Sequence, residues 1–93
     1  MLQSDIETLR AAQEALRDGK PLAALQQLDK KPATHHLARD REGLRAIALC
    51  QANQVEAARK ATQSFLRRHA TSALAPRVSS ACSQFLPNRE VAR

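Results

Sequence analysis

Two residues that can end a helix, Gly19 and Asn53, stand 34 positions apart, and the same shift sets Ala12 on Ala46, Leu16 on Cys50, Ala23 on Ala57 and Ala24 on Ala58. A period of that length holds one helix, a tight reversal and a second helix, and a chain of 93 residues has room for two such units and one further helix. Stacked helix pairs need no strands, and the composition offers few. The apolar content is mostly Ala and Leu, and the only aromatics are Phe65 and Phe85. Ala, Leu, Arg, Gln and Glu lose little side-chain freedom on entering a helix. No run alternates apolar and polar residues in the manner of a strand. The chain is therefore expected to be all-α, one domain over residues 4–86, with residues 87–93 as a flexible tail. A core rich in Ala also brings helix axes close together.

Five helices are expected. The first spans residues 5–18. Ser4 and Glu7 make a capping box at its start, and Ile6, Leu9, Gln13 and Leu16 recur at helical spacing beside Ala12. Gly19 ends it and Pro21 opens the second, residues 21–30, with Leu22, Leu25 and Leu28 as its buried stripe. Lys30 and Lys31 suit the negative end of that helix, and Pro32 stops it. After a loop carrying His35 and His36, the third helix spans residues 37–52 and is apolar almost all round from Ala46 to Cys50, as in a helix sandwiched between neighbours. The fourth, residues 54–69, sets Val55, Ala58, Ala61, Thr62, Phe65 and Leu66 on one face and Arg59, Lys60, Gln63, Ser64 and Arg67 on the other. Ser72 caps the fifth, residues 73–85, where Pro76 is tolerable because it falls in the first turn. Its stripe is Leu74, Val78, Ala81, Cys82 and Phe85, and Pro87 ends it.

With these helices and this period, the chain resembles the tetratricopeptide repeat family, in a degenerate form that lacks the family's large aromatics in helices one and three. The resemblance implies an α-solenoid fragment of antiparallel helix pairs, 5–30 and 37–69, followed by one capping helix. It also implies a scaffold that binds another protein or peptide. The texture of LRAAQEALRDGKPLAALQQLD and LCQANQVEAARKATQSFLRRH is similar to Ala/Arg-rich helical modules at the ends of larger bacterial proteins. Two repeats and a cap bury little core, so either the interface is small or the domain pairs with a second copy.

The formal charge of +6 arises wholly after Glu42, where Lys and Arg outnumber Asp and Glu by eight to two. Arg59, Lys60, Arg67, Arg68 and Arg77 are the candidate partner-binding or phosphate-binding residues in this half. A nucleic-acid-binding domain is the alternative reading, since such a cluster could neutralise phosphates. The chain offers little aromatic surface for stacking bases, and the cations of helix four spread around its circumference. No run is long and apolar enough for a membrane span, and the acidic start MLQSDIE does not read as a secretory leader. The sequence leaves the compartment open between the cytoplasm and, if the chain hangs from an upstream membrane anchor, the periplasm.

Catalysis is not expected, and no cofactor is. There is no phosphate-binding loop, dinucleotide fingerprint or HExxH, and no base is positioned for a Ser or Cys nucleophile. His35, His36 and His69 lack partners at zinc-ligand spacing, so no metal is expected, and His69 reads as the border of a core face. Cys50 and Cys82 can pair once. They fall on the first helices of successive units, which are side-by-side neighbours in a solenoid, so a disulfide is geometrically open. Two buried free thiols are the other state, since cysteine packs as a small hydrophobe.

Overall fold

A computed structural model of the chain describes residues 2–29 and 38–85, with only the backbone described for Leu2–Asp5 and Phe85. The helices are α1 (Leu2–Arg17), α2 (Pro21–Asp29), α3 (Ala38–Gln51), α4 (Val55–Arg68) and α5 (Ala75–Ala81), followed by a 3-10 turn, Ser83–Phe85. Among the described residues there is no strand. Lys30, Lys31, Pro32, the loop with His35 and His36, the stop at Pro87 and the tail 87–93 lie outside the described residues.

The 34-residue period is written into the backbone. Gly19 has φ 75° and Asn53 φ 60°, both left-handed. At the first turn, Gly19 N–H donates to Leu16 O at 3.1 Å and Lys20 N–H to Ala15 O at 2.8 Å. At the second, Asn53 N–H donates to Cys50 O and Gln54 N–H to Leu49 O, both at 3.1 Å. Each bond of one turn maps onto its counterpart at the same shift. Both turns are Schellman closures, in which a left-handed residue lets the last amides return to free helix carbonyls. Each reverses the chain within three residues, so α1 and α2 form one antiparallel pair and α3 and α4 a second.

The pairs are stacked through α3, which packs on all four other helices. The first helices lie in the order α1–α3–α5, while α2 packs on α1 and α3, and α4 on α3 and α5. This placement explains why α3 carries the largest buried set, Gly43, Leu44 and the unbroken run Ala46–Cys50. The period maps buried residues onto buried residues: Ala12 on Ala46, Leu16 on Cys50, Ala24 on Ala58 and Leu28 on Thr62. Phe65, fully buried, is the largest side chain of this core. Helix approach is close at Gly43, where a Cβ would sit 2.9 Å from Leu74 Cδ1 and 3.1 Å from the Phe65 ring. Leu74 is only partly buried and Cδ1 is the end of its flexible side chain, which can yield, so Gly43→Ala should be nearly neutral, the clash offset by about 1 kcal/mol of helix propensity. Gly43→Val should cost roughly 2–3 kcal/mol by overpacking against Phe65. Urea melts of the two variants check the contrast, and an equally stable valine variant would show that the contact is loose.

Several expected positions need correction. α1 begins at Leu2, so Ser4 lies inside the helix and does not cap it; Leu2 and Gln3 are themselves good helix formers and carry the helix past it. Ile6 and Leu22 are exposed, 44% and 59%. Residues spaced by threes precess about 60° per step around a helix. Ile6 therefore stands well off the line of Ala12 and Leu16, and Leu22 nearly opposite Ala24, so the stripe of α2 is Ala24 and Leu28 flanked by Leu25. Val55, 43% exposed, is on the buried face of α4 but is its first residue, beyond the packed part of the pair. α5 starts at Ala75, and its N-cap, Leu74, receives no side-chain cap. Ser72 Oγ instead accepts from Leu74 N–H at 3.1 Å, a side-chain turn just ahead of the helix. The buried line of α5 runs through Ala75, Val78 and Cys82, which leaves Ala81 exposed at its side.

Candidate partner-binding groove

α1 and α5 both pack on α3 but make at most a marginal contact with each other. The gap between them is a groove of about 360 Å³, lined by Gln13, Leu16 and Arg17 of α1, Ile47 and Gln51 of α3 and Arg77 of α5. Leu16 and Ile47 form its apolar floor and are 7% and 3% exposed, so their packing into the core fixes the floor's shape. The four polar residues stand exposed around it. Gln13 falls one helical turn before Arg17, and Ile47 one turn before Gln51, so each helix offers a ridge of neighbouring side chains to the groove. The period relates the two ridges: Gln13 maps onto Ile47 and Arg17 onto Gln51. Neither Arg17 nor Arg77 makes an ion pair among the described residues. An apolar floor between two guanidiniums and two carboxamides is suited to a segment bearing carboxylates on either side of an apolar side chain, since arginine recognises carboxylate with two parallel hydrogen bonds.

The five cations picked out from the sequence do not form one surface. Arg77 belongs to this groove, whereas Arg59, Lys60, Arg67 and Arg68 sit on α4. Arg59 pairs with Glu56 at 3.5 Å, one turn away on the same helix. Arg68 pairs with Glu42 of α3, whose other oxygen lies 3.0 Å from His69 Nε2. The His69 ring also packs on Phe65, with centroids 5.3 Å apart, so this histidine borders the core. Between the two pairs, Asp29 of α2 meets Arg45 and Arg41 of α3, at 3.2 Å and 3.8 Å. The side chains of these ion pairs are partly or well exposed, so each adds little stability. Lys60 and Arg67 remain as neighbours on α4, about 20° apart by helical geometry.

Cys50 and Cys82 are joined by a disulfide, with Cα atoms 5.4 Å apart and 32 positions between them in sequence. It ties the end of α5 to the last turn of α3, next to Gln51 of the groove. Cys50 is 3% exposed and Cys82 fully buried. Thr62, fully buried on α4, has its hydroxyl 3.4 Å from Cys50 Sγ, which satisfies a polar group the core would otherwise leave unpaired. Among the described residues no three His, Cys, Asp or Glu side chains converge as a metal site, and no helix is long and apolar enough to cross a membrane. His35 and His36 lie outside the described residues.

Of the groove residues, the sequence marks Arg77 as a candidate binding residue and sets Gln13 and Leu16 on one face of helix one without assigning them to a site. The period held a signal for the rest. Residues one turn apart at the ends of α1 and α3 must project from adjacent first helices, which brings Gln13, Arg17 and Gln51 to one side. Compared with protein-family models, with curated proteins and with solved structures, the chain matches none.

Proposed function

We propose that the chain is a tetratricopeptide-like interaction module that binds another protein and does no chemistry of its own, taking an acidic segment in the groove between α1, α3 and α5. The observation that carries this reading is the pair of arginines, Arg17 and Arg77, unpaired among the described residues and facing each other across an apolar floor of Leu16 and Ile47. The duplicated helix pair supports it, because stacking equivalent helices side by side is what leaves a concave row of first helices free for a partner.

Fluorescence anisotropy with a labelled peptide of alternating Glu and Leu tests the reading. Arg17→Ala and Arg77→Ala should each weaken binding by about fivefold, the effect of removing one partly exposed charge from an interface. Binding that is unaffected by both but lost on replacing Lys60 and Arg67 would move the site to α4. Competition by duplex DNA, falling steeply with salt, would then favour a phosphate-binding role.

A further inference from the structure

We propose that the Cys50–Cys82 bridge is a redox latch on the groove, holding α5 in place so that Arg77 completes the binding wall, and that reduction by a dithiol lets α5 undock while the two helix pairs stay folded. The inference rests on the groove being the binding site, and it names the regulation of that site.

α5 is a short helix. It has seven residues, Ala75–Ala81, far below the length at which a helix persists in water on its own. Its buried apolar anchors are Ala75 and Val78, with a partly buried Leu74 packed against the core just ahead of it. Its N-cap has no side-chain hydrogen bond. α1 and α2, and α3 and α4, are each clamped by a Schellman turn into a pair; α5 has no such partner helix and leans on α3 and α4. The covalent bond at Cys82 is thus a large part of what keeps α5 docked. The bridge also lies at the groove itself, since Cys50 immediately precedes Gln51 and α5 carries Arg77.

The reduced state is accommodated as well. In the bridged protein Cys50 Sγ lies 3.4 Å from the Thr62 hydroxyl and Cys82 Sγ 3.6 Å from the carbonyl oxygen of Ala46, so each sulfur, once reduced, would have a polar partner in place. Neither thiol would be left as a buried polar group without a partner, so reduction need not expel α5 or collapse the core. It leaves docking to packing alone. The chemistry balances with an external dithiol. One of its thiolates attacks a bridge sulfur, the other protein sulfur leaves as thiolate and takes a proton, and the reagent's second thiol resolves the mixed disulfide as its own ring disulfide. Because both sulfurs are buried, attack waits on an opening of α5, and the latch resists brief exposure to reductant.

Hydrogen exchange of the whole chain, oxidised and in dithiothreitol, tests this directly. After reduction the amides of α5 should exchange several hundred-fold faster, the scale of about 3–4 kcal/mol that loop-closure entropy sets for a loop of this length, and well ahead of those of α1–α4, which keep the protection given by the reduced protein's own global stability. Cys50→Ala/Cys82→Ala should reproduce the reduced pattern without reductant. Loss of protection in all five helices would overturn the latch and make the bridge a global staple, and unchanged α5 protection would overturn it by showing that packing alone suffices. The Glu/Leu peptide is added as a second readout. If α5 is released yet the peptide binds neither form, the latch stands and the groove reading fails; if the peptide binds both forms equally, the latch does not regulate the site.

Discussion

Replacing Phe65 by alanine should leave the domain barely folded, at a cost of about 3–5 kcal/mol. Phe65 is fully buried, and its ring closes against Gly43 of α3 and against His69 one turn on. The buried core is otherwise alanines, cysteines and aliphatic side chains, and an alanine has no side chain to extend into a space left in it. The void therefore persists, and the loss sits at the upper end for its type. Since single domains are stable by only about 5–15 kcal/mol, with small ones at the lower end, this one substitution removes much of the total. A urea titration followed by circular dichroism gives the number. A loss below 1 kcal/mol would mean that Phe65 is not the packing centre of the second pair.

The second large effect belongs to the disulfide. Its removal in Cys50→Ala/Cys82→Ala frees a loop with 32 positions between its ends, for which loop-closure entropy assigns about 3–4 kcal/mol at room temperature. For a domain of this size that corresponds to a fall in melting temperature on the order of 15–25 °C. The reduced wild-type protein should melt with the double variant, and thiol titration of the denatured chain should find no free thiol before reduction and two after it. The loop contains all of α4 and α5, so the bridge acts on the half of the molecule that includes the one α-helix outside the two clamped pairs. Equal melting temperatures with and without reductant would contradict this, and would show that the contacts of α5 with α3 and α4 already hold the segment.

The architecture was legible in the sequence where local chemistry and long-range packing agree. Gly19 and Asn53 mark reversals because both residues adopt a left-handed backbone cheaply, and the hydrogen bonds they permit recur at the same 34-residue shift. The apolar run of α3 announced a helix enclosed by neighbours. Apolar spacing misled where residues recur by threes, as at Ile6 and Leu22, because the direction of the core is set by which neighbour a helix meets and not by its own periodicity. Ser4 and Ser72 carry capping chemistry, yet helix ends were decided elsewhere, by good helix formers upstream of Ser4 and by a side-chain turn at Ser72. The groove was the least legible part. Gln13, Arg17 and Gln51 are ordinary surface residues until the row α1–α3–α5 puts them beside Arg77. Charge counting pointed to α4, where ion pairs with Glu56 and Glu42 already occupy Arg59 and Arg68.

A charge swap in the groove separates the account from its rivals. Arg17→Glu/Arg77→Glu keeps both side chains exposed and leaves the core untouched. The double variant should lose the Glu/Leu peptide and acquire affinity for a Lys/Leu peptide of the same length, because the floor of Leu16 and Ile47 still receives the apolar side chain while the rim reverses sign. Isothermal titration of the wild-type and swapped proteins with both peptides measures this exchange of preference. Unchanged binding of the acidic peptide to the swapped protein would contradict the groove as the binding site.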